Sequence, residues 1–181
     1  GRLAAAYVRG LHAGGMLATL KHFPGHGDTD VDSHLGLPII NQPRDRLDRV
    51  ELPPFRAGIA SGVDAIMTAH IELPALDPGD FSPASLSRPI VTGLLRGELK
   101  FEGLVYTDSM GMDAVSRKLS PGAAAVRALQ AGNDIVLHSP DDAAAVAAIE
   151  AAVTRGDMPM AEIDASVRRV LTAKARLGLY K

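Results

Sequence analysis

Short apolar segments alternate with longer amphipathic segments along the chain. Four short segments, at residues 16–21, 64–70, 104–107 and 134–137, are mainly apolar and predict buried strands. The segments around them repeat apolar positions at helical spacing, begin near proline or serine and end near glycine, and so predict helices. The predicted helices cover residues 3–12, 44–50, 53–61, 90–99, 120–132, 141–154 and 161–177, with an irregular loop at 71–85.

This order of strand, loop and helix, repeated four times with strands apolar on both faces, predicts an α/β fold with a parallel sheet covered by helices. A ligand site in such a fold lies at the carboxyl ends of the strands. Here those ends carry Lys21 with His22, then His70, Asp108 and His138. The four chemically active strand ends favour a (β/α)8 barrel with one functional rim.

The length of the chain limits how much of such a barrel it can form. A complete (β/α)8 barrel needs about 250 residues, whereas this chain has 181. We therefore expect residues 1–181 to be the C-terminal half of one catalytic barrel domain, with four βα units. A smaller open sheet is the alternative.

Residues 21–34 are the densest group of ionisable side chains in the sequence, with three histidines, three aspartates and a lysine. The turn residues Pro24, Gly25 and Gly27 predict a loop that leaves the first strand. A strand that leads into such a loop is typical of an active site on a rigid scaffold. The alternative is a polar surface loop whose charges are only solvated.

Composition excludes several classes of function. The net charge is −2 with both signs interleaved, so no basic face indicates nucleic-acid binding. The apolar segments are shorter than a membrane span, and the absence of cysteine excludes disulfides and thiolate metal ligands. We expect no cofactor and neither a nucleic-acid nor a membrane partner. The cytoplasm is the favoured compartment, with an exported parent protein as the alternative.

Asp108 is the candidate nucleophile for a retaining glycosidase, a reaction that requires one nucleophilic carboxylate and a second acid/base group. It follows a buried strand and precedes Ser109 and Gly111, small residues that allow a ligand to come close. A helix cap is the alternative role for an aspartate here, but Asp113 is the better candidate for the cap because it directly precedes Ala114.

The second catalytic group is less evident from the residues. His34 can exchange a proton near neutral pH, and Asp32 two residues before it could orient the ring. The rival chemistry is metal-assisted hydrolysis, with ligands drawn from the histidines and aspartates of 21–34 and from His70. We disfavour it because no tight ligand spacing is present and Lys21 would repel a cation.

Several ordered motifs resemble those of the β-N-acetylhexosaminidases of glycoside hydrolase family 3. They are KHFPGHGDT at 21–29 with DSH at 32–34 and LP at 37–38, MTAH at 67–70, PASLS at 83–87, TDSM at 107–110 and AGND at 131–134. The resemblance covers nearly the whole chain and implies a (β/α)8 barrel with a two-step retaining mechanism. It also implies an N-terminal half of the barrel, missing here, as a partner for this chain.

The resemblance implies a role for each candidate residue. Asp108 matches the nucleophile, His34 the acid/base, and Asp32 its dyad partner. Lys21 and His22 match the pair that hydrogen-bonds the sugar hydroxyls. The remaining candidate substrate-binding residues are His26, His70 and Met110, and no residue is expected to bind metal.

The implied substrate is a carbohydrate or muropeptide with a terminal β-linked N-acetylglucosamine, removed during peptidoglycan turnover. Two alternatives stay open: a family 3 β-glucosidase or β-xylosidase, and a carbohydrate-binding fragment without turnover. Phosphorolysis stays open as a side activity, because a neutral histidine repels an incoming phosphate less than a second carboxylate does.

Overall fold

The structure is a computed structural model, and it describes residues 1–29 and 36–180. Its centre is a parallel sheet of three strands in the order β1 (Thr19–Phe23), β2 (Ala65–Thr68) and β3 (Leu104–Thr107). The pairing aligns Thr19 with Ala65, and Ala65 with Leu104. The α/β class and the parallel sheet are thereby confirmed.

Helices precede, separate and follow the strands. The first part of the chain contains α1 (Arg2–Ala13), α2 (Arg44–Arg49) and α3 (Leu52–Ala60). A short 3-10 turn (Ala84–Leu86) and a π-helix (Pro89–Glu98) lie between β2 and β3. The last part contains α4 (Asp113–Ser116), α5 (Pro121–Ala131), α6 (Asp142–Arg155) and α7 (Met160–Arg176).

The helix boundaries follow from local chemistry. Ser120 accepts a hydrogen bond from the Ala123 amide at the start of α5, and Gly132 ends that helix in the left-handed conformation. Asp141 caps α6 in the same way, with the Ala144 amide 2.9 Å from its carboxylate. The prediction that Asp113 is a cap is wrong, because Met112 occupies the cap position and Asp113 lies inside the first turn of α4.

The predicted fourth strand is reduced to a single parallel bridge between Tyr106 and Ile135. The backbone ladder is interrupted there because the Leu137 amide donates to the Thr107 hydroxyl, at 3.0 Å, instead of to a backbone carbonyl. Residues 134–138 still run along β3, since the Thr107 amide donates to the Ile135 carbonyl at 3.2 Å. We call residues 134–138 the β3-flanking segment.

The main apolar core lies between the sheet and the helices. Phe23 of β1 meets Phe55 of α3 edge to face at 5.1 Å between ring centroids, and Ile66 and Val105 add the buried positions of the next two strands. The prediction that all strands are buried on both faces is correct only for β2. β1 and β3 alternate between more and less buried positions, because one face of each lacks a covering layer in the described part of the chain.

None of the described helices combines the length and the apolar character that crossing a bilayer requires.

Candidate functional site

The parallel register brings the carboxyl ends of the three strands to one rim. Phe23 aligns with Thr68, and Thr68 with Thr107. Asp108 directly follows β3, and its amide donates to the Thr68 carbonyl at 2.9 Å. His22 is the next-to-last residue of β1, so its ring reaches the same rim.

The Asp108 carboxylate faces the His22 ring. Asp108 Oδ2 lies 3.5 Å from His22 Nε2, and the two side chains are 17% and 29% exposed. The other oxygen, Oδ1, accepts the Ser109 amide proton at 2.8 Å. The carboxylate is thus oriented by its own loop and remains accessible from the rim.

His70 lies beneath this carboxylate and is fully buried. Its Nε2 is 3.0 Å from the Ser109 carbonyl oxygen, and its Nδ1 is 2.7 Å from the Ser85 hydroxyl. A carbonyl only accepts, so Nε2 carries the proton and Nδ1 accepts from Ser85. Burial lowers the pKa of His70 below its ordinary value, which favours this neutral form. His70 therefore holds the loop that follows Asp108.

Lys21 and His26 lie on the β1 side of the rim. Lys21 is the exposed central residue of β1. The His26 ring meets the His22 ring edge-on at 5.9 Å, and its Nδ1 is 3.0 Å from the Thr29 hydroxyl. A cavity of about 470 Å³ opens beside them, and its lining includes Leu20, Lys21, His22, Gly25, His26, Asp28, Arg46 and Glu51.

Met110 lies apart from the other predicted substrate-binding side chains. It is 2% exposed and packs in a second apolar cluster with Leu86, Val115 and Ala124. The predicted catalytic pair Asp32 and His34 lies outside the described residues. The structure therefore brings together His22, His70 and Asp108, with Lys21 and His26 on the β1 side.

Asn133 is a buried residue whose role at the rim was missed from the sequence. Its Oδ1 accepts from the Thr68 hydroxyl at 2.9 Å, and its Nδ2 donates to the Ser85 carbonyl at 2.8 Å. It thus ties β2 to the turn that carries the partner of His70. The AGND motif could have drawn attention to Asn133, but a motif does not show which residues a side chain contacts.

The rim can supply a carboxylate nucleophile with a histidine nitrogen 3.5 Å from it, and this carboxylate is one of the two groups that a retaining glycosidase requires. Within residues 1–29 and 36–180, no group of three histidine, aspartate or glutamate side chains converges as metal ligands would.

The family model of the glycosyl hydrolase family 3 N-terminal domain matches residues 1–173. A beta-hexosaminidase of Stenotrophomonas maltophilia (strain R551-3) is 48% identical over 134 residues, which are 74% of this chain and 39% of that relative. The chain thus spans well under half of that protein's length.

Solved structures of similar proteins share the fold. A family 3 beta-N-acetylglucosaminidase from Paenibacillus sp. superposes with a TM-score of 0.94 at 48% identity, over 98% of this chain and 34% of that one. The beta-glucoside phosphorylase BglX superposes with a TM-score of 0.91 at 31% identity, over 98% and 34%. With a family model that matches nearly its whole length, this chain belongs to glycosyl hydrolase family 3.

Proposed function

We propose that the protein is a retaining exo-β-N-acetylglucosaminidase that removes terminal β-linked N-acetylglucosamine, in particular from peptidoglycan fragments. The observation that carries the proposal is the Asp108 carboxylate at the end of β3, partly exposed and facing His22 Nε2 at 3.5 Å. The relatives named beta-hexosaminidase and beta-N-acetylglucosaminidase support the choice of sugar.

In the first step of the proposed reaction, an oxygen of Asp108 attacks the anomeric carbon. The glycosidic bond breaks, and the leaving oxygen takes a proton from the acid. In the second step a water attacks the same carbon, loses its proton to the conjugate base and releases Asp108. We assign the acid/base role to His34, with Asp32 as its orienting partner, from their place in the family-like DSH motif.

The residues around Asp108 have distinct proposed roles. Lys21 and His22 bind sugar hydroxyls, since His22 faces the carboxylate and Lys21 is the exposed residue directly before it in β1. His26 extends that surface through its ring contact with His22. His70 supports the site from beneath by holding the Ser109 carbonyl, and Met110 contributes to the substrate site through its buried packing directly after Ser109.

We further propose that residues 1–181 form the C-terminal half of a (β/α)8 barrel whose N-terminal half is the partner of this chain. Three observations support it: the parallel sheet, the incomplete cover of β1 and β3, and the 39% share of the Stenotrophomonas relative that the chain spans. Exposed Leu3 and Tyr7 on α1 also suit burial against further structure.

The test is hydrolysis of an aryl β-N-acetylglucosaminide by the complete protein that contains this chain. Asp108→Ala should abolish turnover, whereas Asp113→Ala, five residues along and paired with Arg117 on the surface, should not. His34→Ala should lose less activity on aglycones that leave easily, and added azide should restore part of it. An Asp108→Ala variant as active as the wild type would refute the assignment.

Phosphorolysis of β-glucosides is the second candidate, favoured by the similarity to BglX. The same assay separates the two when it is run with and without inorganic phosphate, and with β-glucoside beside β-N-acetylglucosaminide. Release of sugar 1-phosphate would identify a phosphorylase, and release of free sugar in phosphate would identify a hydrolase.

A further inference from the structure

Ser109, next to Asp108, is held by three different groups. Its amide donates to Asp108 Oδ1 at 2.8 Å, and its carbonyl accepts from His70 Nε2 at 3.0 Å. Its hydroxyl lies 3.0 Å from His138 Nδ1. Two histidines from separate segments thus fix the residue whose amide orients the carboxylate.

His138 makes this contact from a backbone conformation that residues other than glycine seldom adopt. It lies at the end of the β3-flanking segment with φ of 54°, in the left-handed region that glycine and asparagine occupy more readily. Side chains held in this region concentrate at functional sites, where the surrounding structure maintains them. The β3-flanking segment is in turn fixed to the Asp108 loop, because the Met110 amide donates to the Leu137 carbonyl at 2.9 Å.

We propose that His138 is a positioning residue for Asp108, which it orients through the Ser109 hydroxyl. This inference rests on the proposed function of Asp108 as the nucleophile. The buried His70 fixes the carbonyl side of Ser109, and the exposed His138 fixes its hydroxyl side. Without His138, His70 is the one histidine that still holds Ser109, and the carboxylate spends less time in the attacking orientation.

The geometry of the histidine ring allows a sharp set of variants. The side-chain amide of asparagine places a polar atom where histidine has Nδ1, and asparagine tolerates a positive φ. His138→Asn should therefore keep kcat within about twofold. Glutamine places its amide near the Nε2 position instead, and glycine removes the contact while it relieves the backbone. His138→Gln and His138→Gly should each lower kcat about three- to tenfold, the range for one net hydrogen bond, with KM little changed.

Lys100→Gly is the matched backbone control. Lys100 also has a positive φ, of 55°, but it lies before β3, at the opposite end of the strand from Asp108. Its replacement relieves the same kind of strain without touching the rim, so kcat and KM should stay at the wild-type values.

The decisive measurement is a double-mutant cycle on kcat in the complete protein, with Ser109→Ala, His138→Gly and the double variant. If His138 acts through Ser109, the double variant loses no more than either single variant. Losses that multiply, or a His138→Gly variant with wild-type kcat, would overturn the proposal.

Nitrogen NMR of the His138 ring tests the contact without turnover. Ser109→Ala should shift the Nδ1 resonance, and an unchanged resonance would overturn the proposal even in an inactive protein. If the wild type cleaves no β-N-acetylglucosaminide, the proposed function fails separately. If the wild type turns over the substrate and the losses in kcat of the two single variants multiply in the double variant, only the proposed role of His138 is refuted.

Discussion

Asp108 at the carboxyl end of the sheet and Asp134 at its amino end carry the same side chain in different surroundings. The Asp134 side chain is fully buried, and each of its oxygens has two partners. Oδ1 accepts from Ser166 and Arg169, at 2.9 and 2.8 Å. Oδ2 accepts from Arg96 and the Val105 amide, at 2.7 and 2.9 Å.

Asp108 is held much more loosely. One oxygen accepts the adjacent Ser109 amide proton, and the other lies at 3.5 Å from a partly exposed histidine. Asp134 therefore joins the sheet to α7 and has no acceptor capacity left for a ligand, whereas residues 1–29 and 36–180 leave lone pairs of Asp108 open toward the rim. Saturation of a carboxylate, more than its burial, therefore separates a structural aspartate from one available for chemistry.

The largest expected effect that follows from the comparison is on turnover. Asp108→Asn should lower kcat by about 10³-fold or more, because a neutral amide is a poor nucleophile. The melting temperature should stay close to that of the wild type, since few contacts are lost. Kinetics and thermal melting of the complete protein check this. A large drop in melting temperature would show that Asp108 is structural in the same sense as Asp134.

At the amino end of the sheet we expect a loss of stability. Asp134→Ala should lower the free energy of unfolding by about 3–5 kcal/mol, because it leaves the largely buried Arg96 without its carboxylate. Urea unfolding followed by circular dichroism measures the loss. Asp48→Ala, which removes one of the two carboxylate partners of Arg44 and also a partner of Arg56, all partly exposed, is the control and should cost less than about 1 kcal/mol. Equal losses of unfolding free energy in the two variants would contradict the structural role of Asp134.

Acid should lower the stability of the fold through protonation of His70. Its pKa is lowered chiefly by burial from an ordinary value of 6.5, so the unfolded chain binds a proton more readily than the folded one. Stability is therefore fully present above pH 6.5 and falls as the pH drops toward the lowered pKa, with a slope of up to about 1.4 kcal/mol per pH unit.

The matched variant for that measurement is His70→Gln. Glutamine can place an amide donor toward the Ser109 carbonyl, and it does not titrate. Melting temperatures recorded from pH 7.5 to pH 5 should decline less steeply in the variant than in the wild type. Parallel curves would mean that other groups govern acid unfolding.

The smallest expected effect concerns a second aspartate at the amino end. His12 Nε2 lies 2.7 Å from Asp64 Oδ2, which also accepts the Ala18 amide proton at 2.8 Å. His12→Ala should cost about 1 kcal/mol of unfolding free energy, because the half-exposed ring is one of several partners. Turnover should not change, and His12→Gln should recover part of the loss. A change in kcat would show that the two ends are coupled.

The α/β class, the positions of most elements and the residues at the strand ends follow from the sequence alone. These features depend on local apolar spacing, on proline, serine and glycine at helix ends, and on the rule that parallel strands end on one side. His22, His70 and Asp108 could be assigned to one rim on that basis. The family resemblance, carried by ordered motifs, is also shown by the match over residues 1–173.

Which of these groups are in contact, and which carboxylates are saturated with donors, depends on the folded arrangement of the chain. The contacts of Asn133 with Thr68 and of His138 with Ser109 join segments far apart in the chain, so no local pattern encodes them. The prediction of a fourth strand is wrong for the same reason. Its apolar residues predict a strand, but the Thr107 hydroxyl takes one ladder hydrogen bond, and that competition exists only once the two segments lie side by side.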